Sequence, residues 1–311
     1  GWEGDVLQGI PGNTEFVGYT DKTCTAKVAA IIKDGALADE IDEGESGIIV
    51  LDRTCFYGEG GGQVGDSGIL FGANSTFQVL DTKKSVNSHF MHIGEMKAGM
   101  IRVGDELTAE IDSLRRDSIM RNHSACHLLQ AALREVLGTH VHQSGSYVDE
   151  DLCRFDFSHF SAMTSDEIAR VETIVNDMIL AALPVTVETM SQDEAKAKGA
   201  MALFGEKYGD AVRVVDMGGR SIELCGGTHV DNTSRVGLFK IVKESSIAAG
   251  VRRIEAVTGR GVLGLIDADR HLMDMACEAL KVGSHAELPG KAAAVAAELK
   301  AKDKETEEIN G

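Results

Sequence analysis

The chain has 311 residues, of which 43% are hydrophobic and 26% are charged. This length exceeds one average domain and predicts two compact units, and the composition excludes a disordered or collagen-like chain. The net charge of −18 argues against tight, stand-alone binding of a long nucleic-acid duplex, although it leaves room for a local basic pocket.

The sequence carries no pattern for export or membrane insertion. No window approaches ~18 uninterrupted apolar residues, and the first residues do not lead from a basic into an apolar segment. Six cysteines without C-x-x-C spacing predict reduced thiols and a cytoplasmic protein. Because the chain starts without an initiator Met and stops within a charged helical pattern, we expect it to be a fragment of a longer protein.

Residues 1–14 show no periodicity and are interpreted as the remnant of a linker. From residue 15 to residue 111, short runs rich in Val, Ile, Thr and aromatic residues are separated by Gly, Asp and Asn. Such runs predict strands, at 16–19, 25–33, 47–51, 68–71, 75–81, 89–93 and 106–111. Several strands in close succession, with no long helix between them, predict a small N-terminal β-barrel.

The pattern changes after residue 111, and 112–259 is predicted to be a second domain. Apolar residues at helical spacing predict a helix over 113–137, which Gly138 ends. Capping boxes that begin at Thr164 and Ser191 predict two further helices. The predicted strands lie at 144–149, 152–157, 212–217, 221–224, 236–243 and 251–257. The fold class is therefore α+β with a mostly antiparallel sheet.

Residues 260–311 return to a helical pattern that is broken near Pro289-Gly290. The last stretch, 292–309, is rich in Ala, Lys and Glu. An alanine-rich helix with interspersed charges is marginal in isolation. We therefore expect this C-terminal helical extension to continue into a longer helical hairpin or coiled coil.

Two residue pairs carry a metal-binding pattern. His123 and His127 are spaced i, i+4 in the predicted helix, so both imidazoles project from one face. Cys225 and His229 flank a Gly-Gly turn after a predicted strand, where a thiolate and an imidazole can converge. Three nitrogens and one sulfur suit tetrahedral zinc, so the sequence predicts one Zn²⁺ per chain if the fold brings the pairs together.

Less specific interpretations of these residues stay open. Either pair alone occurs often by chance, and the seven other histidines suit surface or hydrogen-bonded core positions. A zinc protease requires Glu directly after the first histidine of the helix, and Ser124 occupies that position. The sequence therefore excludes that class of enzyme.

A glycine-rich loop at residues 58–65 formally contains G-x-G-x-x-G. A strand is predicted to follow it, which argues against dinucleotide binding, and no G-K-[ST] follows, which argues against a P-loop. Two interpretations remain. The loop is either a bulged turn of the barrel or a wall of bare backbone against which a ligand lies.

Several longer segments resemble the signatures of one family. Residues 121–129 (RNHSACHLL) resemble the R-N-H-[ST]-A-T-H-L-L signature of alanyl-tRNA synthetase editing domains. The other segments that resemble signatures of this family are 143–148 (QSGSYV), 154–159 (RFDFSH), 223–230 (ELCGGTHV), 248–255 (AAGVRRIE), and Phe56-Tyr57 with Gly60-Gly61-Gly62-Gln63. The resemblance runs from about residue 15 to residue 311.

The resemblance implies a two-part editing module that hydrolyses mischarged Ser-tRNA(Ala) and Gly-tRNA(Ala). Its first part is the barrel (15–111), and its second is a zinc-containing fold shared with threonyl-tRNA synthetase editing domains (112–259). Residues 260–311 correspond to the start of a helical linker, and no segment resembles the ATP-binding core. The implied partners are the 3′ acceptor end of tRNA(Ala) and the rest of an alanine–tRNA ligase, without a membrane.

The resemblance also implies roles for single residues. Gln143 is implied as a polar partner of the attacking water. Gly61, Gly62 and Gln63 are implied as substrate or tRNA contacts. Cys126 stands where the family usually has Thr, and it is expected to face the amino-acid side chain. Whether Cys126 alters substrate choice or competes as a metal ligand stays open.

Arg252 and Arg253 belong to the last of these signatures. Successive residues of a strand point to opposite faces, so at most one of the two can face the site. They are expected either to contact phosphates of the tRNA 3′ end or to lie on a solvated strand face.

The role of the zinc also leaves alternatives. With three protein ligands the ion can activate a water in its fourth position, whereas four ligands leave it nearly closed. In the second case the zinc would orient the substrate amino group or hold the site together, and Gln143, a backbone group or the ribose hydroxyl of the substrate would activate the water. A separate alternative is a binding module for the tRNA acceptor end with a purely structural zinc. A zinc hydrolase that acts on another small ester is a third possibility.

Overall fold

The computed structural model describes residues 6–202 and 208–311. Contacts divide the chain into two compact units, one that ends at Gly259 and one that spans Arg260–Gly311. The first unit contains a barrel and an α+β region. Leu7, in the segment interpreted as a linker remnant, is fully buried in a cluster with Ile32 and Val50 of the barrel.

Six strands of the N-terminal region form a closed barrel. The described strands of this region are β1 (Glu15–Phe16), β2 (Thr23–Lys33), β3 (Ala36–Ala38), β4 (Glu40–Asp42), β5 (Ser46–Leu51), β6 (Arg53–Thr54), β7 (Gly68–Phe71), β8 (Thr76–Lys84), β9 (Phe90–Ala98), β10 (Met100–Arg102) and β11 (Glu106–Ile111). The barrel order is β11-β7-β8-β9-β5-β2, and β11 pairs with β2 to close the antiparallel ring. The predicted small β-barrel is confirmed.

The barrel interior is filled by aliphatic and aromatic side chains. Burial alternates along β11, where every second residue is buried, as expected for a strand with one face toward a core. Fully buried members of this cluster include Ile31, Ile49, Leu70 and Phe77. Because the ring is closed, its strands leave no free edge for pairing with other chains.

The strand predicted over 16–19 is shorter than expected. β1 pairs with β6 in parallel, and the chain then turns, with the Asp21 amide donating to the Val17 carbonyl. Gly18 permits close packing at this turn, because a Cβ there would lie 2.2 Å from the Cys55 carbonyl oxygen. The two- and three-residue strands β3, β4, β6 and β10 were not predicted, since they are too short to show an alternating pattern.

The α+β region begins with a long helix. Its described elements are α1 (Ser113–Leu137), β12 (Gln143–Val148), β13 (Cys153–Ser158), α2 (Ser165–Leu180), β14 (Val185–Ser191), α3 (Gln192–Ala197), β15 (Ala211–Met217), β16 (Ser221–Leu224), β17 (Phe239–Ala248) and β18 (Val251–Thr258). Asp112 caps α1, and Gly138 follows its last residue. Thr164 forms the capping box of α2 with Glu167, and Ser191 caps α3. The predicted helices are confirmed.

Two antiparallel sheets complete this region. The larger sheet has the order β12-β13-β18-β17, and the smaller has the order β14-β15-β16. A tight turn at Gly218 and Gly219 joins β15 to β16, and both glycines have positive φ, 59° and 76°. Leu128 and Leu133 of α1 share one buried cluster with Phe155 of β13. The predicted α+β class with a mostly antiparallel sheet is confirmed.

Two strands differ from the prediction. β14 was not predicted, and most of its side chains are at least partly exposed at the edge of the smaller sheet, so it lacks a buried apolar face. β17 begins at Phe239 rather than at residue 236. Thr233–Val236 forms a 3₁₀ turn instead, and Gly237 follows it with a φ of 82°.

The second unit consists of helices α4 (Arg260–Leu280) and α5 (Leu288–Asn310), with a 3₁₀ turn at His285–Glu287 between them. The break predicted near Pro289-Gly290 lies between Leu280 and Leu288. Pro289 falls in the first turn of α5, where its missing N–H removes no helical hydrogen bond. Among the described helices, none is long and apolar enough to cross a membrane.

Candidate metal centre

Four side chains converge between α1 and the loop after β16. His123 and His127 come from α1, and Cys225 and His229 come from the loop. Their nearest donor atoms all lie within 4.8 Å of one another, so the group could hold a metal ion. The Cys225 Sγ atom lies 3.5 Å from His123 Nε2 and 3.3 Å from His229 Nε2.

The outer nitrogen of each imidazole faces a fixed polar group. His123 Nδ1 lies 2.8 Å from Gln63 Oε1, and His229 Nδ1 lies 3.0 Å from Ser124 Oγ. An amide oxygen only accepts, so Nδ1 of His123 carries the proton and Nε2 presents its lone pair to the centre. Such outer partners orient the histidine ligands of metal sites.

The charge state of the cluster also suits a metal cation. Burial lowers the pKa of His123 to about 4, and the positive charge of Arg213 acts in the same direction. Burial and the neighbouring histidines place the pKa values of His127 and His229 well below the usual value. Neutral imidazoles are the form that binds metal ions. Three nitrogens and one sulfur are the donor chemistry of zinc, and the residues present therefore fit that ion.

Glu223 lies behind His127 and was not predicted as a site residue. Its Oε2 atom is 3.1 Å from His127 Nδ1, and the Ser221 hydroxyl donates to the same oxygen. Burial raises the pKa of Glu223 to about 8, while the hydrogen bond from Ser221 opposes this shift. The available signal was its position two residues before Cys225, near the end of the strand that precedes that cysteine.

The loop that carries Cys225 and His229 is held in place by its surroundings. Arg213 Nη1 donates to the carbonyl oxygens of Cys225 and Gly227, at 2.9 and 2.7 Å. The Tyr19 hydroxyl of the barrel region donates to the Gly226 carbonyl at 2.5 Å. A Cβ at Gly227 would lie 2.1 Å from His123 Cε1, so a glycine is required for the loop to approach α1.

Gln63 joins the glycine-rich loop to the metal-binding elements. Its side chain is completely buried, and Nε2 donates to Thr228 Oγ1 at 2.8 Å. Its Oε1 atom accepts from the Thr228 amide at 2.9 Å in addition to its contact with His123. The sequence grouped Gln63 with the substrate or tRNA contacts. In the structure the side chain contacts protein groups that carry the candidate ligands.

The two glycines before Gln63 have different surroundings. A Cβ at Gly62 would lie 2.5 Å from the Ser146 carbonyl oxygen, and its φ is +84°. Gly62 therefore packs against β12, as a tight turn of the barrel would. Gly61 has open space around it and lines a cleft in front of the cluster. Gly62 fits the bulged turn, whereas contact of a ligand with the backbone at Gly61 stays a prediction.

The cleft has a volume of about 1270 Å³, and His123, His127 and Cys225 lie in its wall. Cys126 and Gln143 also line it. Cys126 is outside the four-residue cluster, and the neighbouring Cys153 thiol, together with burial, raises the pKa of the Cys126 thiol. Gln143 Nε2 donates to Ser146 Oγ at 3.2 Å.

Arg252 and Arg253 are paired within the larger sheet. Arg252 forms an ion pair with Glu244 of β17, and Arg253 Nε lies 2.8 Å from Asp156 Oδ1 of β13. Neither arginine is among the residues that line the cleft. Both guanidinium groups thus pair with carboxylates of neighbouring strands. Contact of either arginine with phosphates of the tRNA 3′ end stays a prediction.

Comparisons with known proteins connect this fold and cluster to aminoacyl-tRNA synthetases. The profile of the family described as tRNA synthetases class II (A) matches residues 3–115. The profile described as threonyl and alanyl tRNA synthetase second additional domain matches residues 212–255. That segment includes β15, β16 and the loop with Cys225 and His229. The class of protein is therefore one related to tRNA synthetases.

Longer matches are to alanine–tRNA ligases. The chain is 48% identical over 310 residues to the alanine–tRNA ligase of Acetivibrio thermocellus. This match covers 99% of the present chain and 35% of the relative. It is 53% identical over 292 residues to the enzyme of Methylobacillus flagellatus (94% and 33%), and 45% over 307 residues to that of Bacillus subtilis (99% and 35%). Over nearly its whole length the chain matches these alanine–tRNA ligases, as its resemblance to alanyl-tRNA synthetases predicts, and it spans about a third of their length.

Proposed function

We propose that this chain is the editing module of an alanyl-tRNA synthetase and hydrolyses the ester of Ser-tRNA(Ala) and Gly-tRNA(Ala). The observation that carries the proposal is the four-donor cluster, of which His123, His127 and Cys225 line a cleft of about 1270 Å³. A second site is needed because one added or missing small group supplies only ~1–3 kcal/mol of discrimination in a binding pocket. Its partners are the 3′ end of tRNA(Ala) and the rest of the parent synthetase, in the cytoplasm where translation occurs.

The side chains that line the cleft would have different roles in such a site. When bound, zinc would supply a localised positive charge beside the ester and would cross-link α1 to the loop. His123, His127, Cys225 and His229 would hold it. Gln143 lies in the cleft wall and offers its amide to the attacking water. Cys126 lines the same cleft and would face the amino-acid side chain.

A purely structural zinc is the second candidate. It is favoured by the closed character of the cluster, in which four protein donors lie within 4.8 Å of one another. Four protein donors occupy all four coordination positions of a tetrahedral zinc ion and leave none for a water molecule. The chain would then bind the acceptor end of tRNA without hydrolysing the ester.

A deacylation assay separates these functions. Ser-tRNA(Ala), Gly-tRNA(Ala) and Ala-tRNA(Ala) are incubated with the purified chain, before and after treatment with a chelator. We expect hydrolysis of the first two, sparing of the third, and loss of activity on zinc removal. Cys225→Ala should reproduce this loss, whereas Cys24→Ala, at a cysteine of similar exposure in the barrel, should not. Binding of tRNA without hydrolysis of any ester would favour the structural zinc.

A further inference from the structure

An aromatic wall lines the barrel side of the cleft. It consists of Phe16, Tyr19, Tyr57 and Phe90, and all four line the cavity. The Phe16 ring lies 4.8 Å from Tyr19, 6.1 Å from Tyr57 and 5.6 Å from Phe90 between centroids. The chain has only ten Phe, four Tyr and one Trp, so this wall concentrates a scarce type of residue.

Tyr19 is the accessible ring of the wall. Tyr57 and Phe90 are 8% and 6% exposed and support the wall from behind, whereas Tyr19 is 48% exposed. The guanidinium carbon of Arg213 lies 3.8 Å from the Tyr19 centroid and covers one face of the ring. The hydroxyl is fixed by its bond to Gly226, so the ring is both rigid and exposed. A rigid, exposed aromatic ring is a surface on which nucleobases stack.

The volume of the cleft indicates a ligand larger than an amino acid. At about 1270 Å³ it exceeds the ~300–1000 Å³ typical of pockets for small molecules. Tyr19 contacts the loop that carries Cys225, so a ligand whose ester lies at the cluster can reach the wall with its adjacent group. In an aminoacyl-tRNA that group is the terminal ribose with its base. Lys84 also lines the cleft, with its Nζ atom 5.7 Å from the Phe90 centroid.

We propose that Tyr19 is the stacking surface for the base of the last nucleotide of the tRNA 3′ end, and that Lys84 pairs with the phosphate before it. This subsite rests on the proposed function, because the ester at the cluster sets the distance to the base. The wall supports Tyr19, and Arg213 and Gly226 fix its orientation. A base–aromatic contact of this kind is worth about 5- to 150-fold in affinity.

An uncharged RNA minihelix that ends in CCA, with 2-aminopurine as its last base, tests the subsite. Stacking quenches the fluorescence of 2-aminopurine. We expect quenching with the unaltered chain and with Tyr19→Phe, which keeps the ring and loses only the hydroxyl bond. Tyr19→Leu should abolish the quenching and weaken binding by about fivefold or more. Tyr19→Leu should not alter binding of a minihelix that lacks the last nucleotide.

Tyr147→Leu is the matched control. Arg154 lies over the Tyr147 ring at 5.1 Å, so the pair resembles Tyr19 and Arg213, but Tyr147 is not among the residues lining the cleft. Unchanged quenching in Tyr19→Leu would overturn the proposed subsite. A loss of quenching in Tyr19→Phe as large as that in Tyr19→Leu would also overturn it. Because the probe carries no amino acid, its binding is measured apart from hydrolysis, and failure of the subsite is distinguished from failure of the proposed function.

Discussion

Gln63 shows how one buried amide can order a site to which it contributes no ligand. Its oxygen accepts from the Thr228 amide and from His123 Nδ1, and its nitrogen donates to the Thr228 hydroxyl. The side chain is completely buried, so these bonds have no water to replace them. The barrel therefore contributes directly to the geometry of the candidate metal centre.

Gln63→Ala is expected to weaken zinc binding about 10- to 100-fold, because His123 and Thr228 lose their shared acceptor. Competition against a chromophoric chelator measures this affinity without an activity assay. Gln63→Glu keeps the acceptor and should bind zinc more tightly than Gln63→Ala. Gln78→Ala, elsewhere in the barrel, is the control. Equal zinc affinities of Gln63→Ala and Gln78→Ala would contradict the positioning role.

Cys126 is the second informative residue, because it lies in the cleft wall but outside the four-residue cluster. It is 4% exposed and interacts with the buried thiol of Cys153. A thiol is a weaker hydrogen-bond donor than the hydroxyl of the threonine usual in the family. A change to threonine therefore alters what the pocket offers to a serine hydroxyl.

Cys126→Thr is expected to retain zinc and to raise or preserve hydrolysis of Ser-tRNA(Ala). Hydrolysis of Gly-tRNA(Ala) should change less, because glycine has no hydroxyl to contact. One added hydrogen bond would shift the ratio of the two rates by about two- to tenfold. Both rates are measured side by side in both proteins. Loss of zinc from the variant would mean that Cys126 is a ligand.

At the scale of elements, the centre depends on how closely the loop after β16 approaches α1. Two adjacent glycines in this loop have different surroundings. A Cβ at Gly227 would meet His123 at 2.1 Å, whereas the nearest atom to a Cβ at Gly226 is the Tyr19 hydroxyl at 4.0 Å. Only Gly227 is required by the approach of the two elements.

Gly227→Ala is expected to reduce zinc affinity by at least about tenfold, because the methyl group displaces the His123 ring from its orientation. Gly226→Ala introduces the same methyl group one residue away and should leave the zinc content near that of the unaltered protein. Metal analysis after dialysis at a fixed free zinc concentration compares the two variants. Equal zinc content in both would show that the loop has room to move.

At the scale of the whole molecule, the net charge of −18 opposes binding of RNA. Two cationic side chains, Lys84 and Arg213, nevertheless line the cleft. RNA binding to the isolated chain is therefore expected to be weak and to rest on few phosphate contacts. Editing by this chain alone should need more protein than editing by the complete synthetase.

The salt dependence of minihelix binding measures the number of these contacts. Two phosphates of a single strand correspond to an affinity loss of about sevenfold between 50 and 200 mM salt. Lys84→Gln should reduce this dependence, because one contact is removed. Lys304→Gln, in α5, removes the same charge far from the cleft in sequence and serves as the control. Tight binding that does not respond to salt would contradict this electrostatic account.

Local patterns determined much of the fold. The apolar spacing over 113–137, with Gly138 after it, predicts α1 and places His123 and His127 one turn apart on the same face. The capping box at Thr164 marks the start of α2 within one residue. These predictions succeed because helices and their caps depend on neighbours three and four residues away.

Tertiary structure alone decided which of the patterned residues meet. The convergence of α1 with the loop after β16 depends on the packing of the sheets, and no local spacing measures it. Packing also buried Gln63, paired Arg252 and Arg253 with carboxylates of neighbouring strands, and gathered Tyr19 and Phe16 beside the cleft. The helices, the longer strands of the barrel and the donor chemistry could be predicted from the sequence, because they are local properties. The arrangement of the site residues could not be predicted from the sequence, because burial and long-range contacts arise only when distant segments pack together.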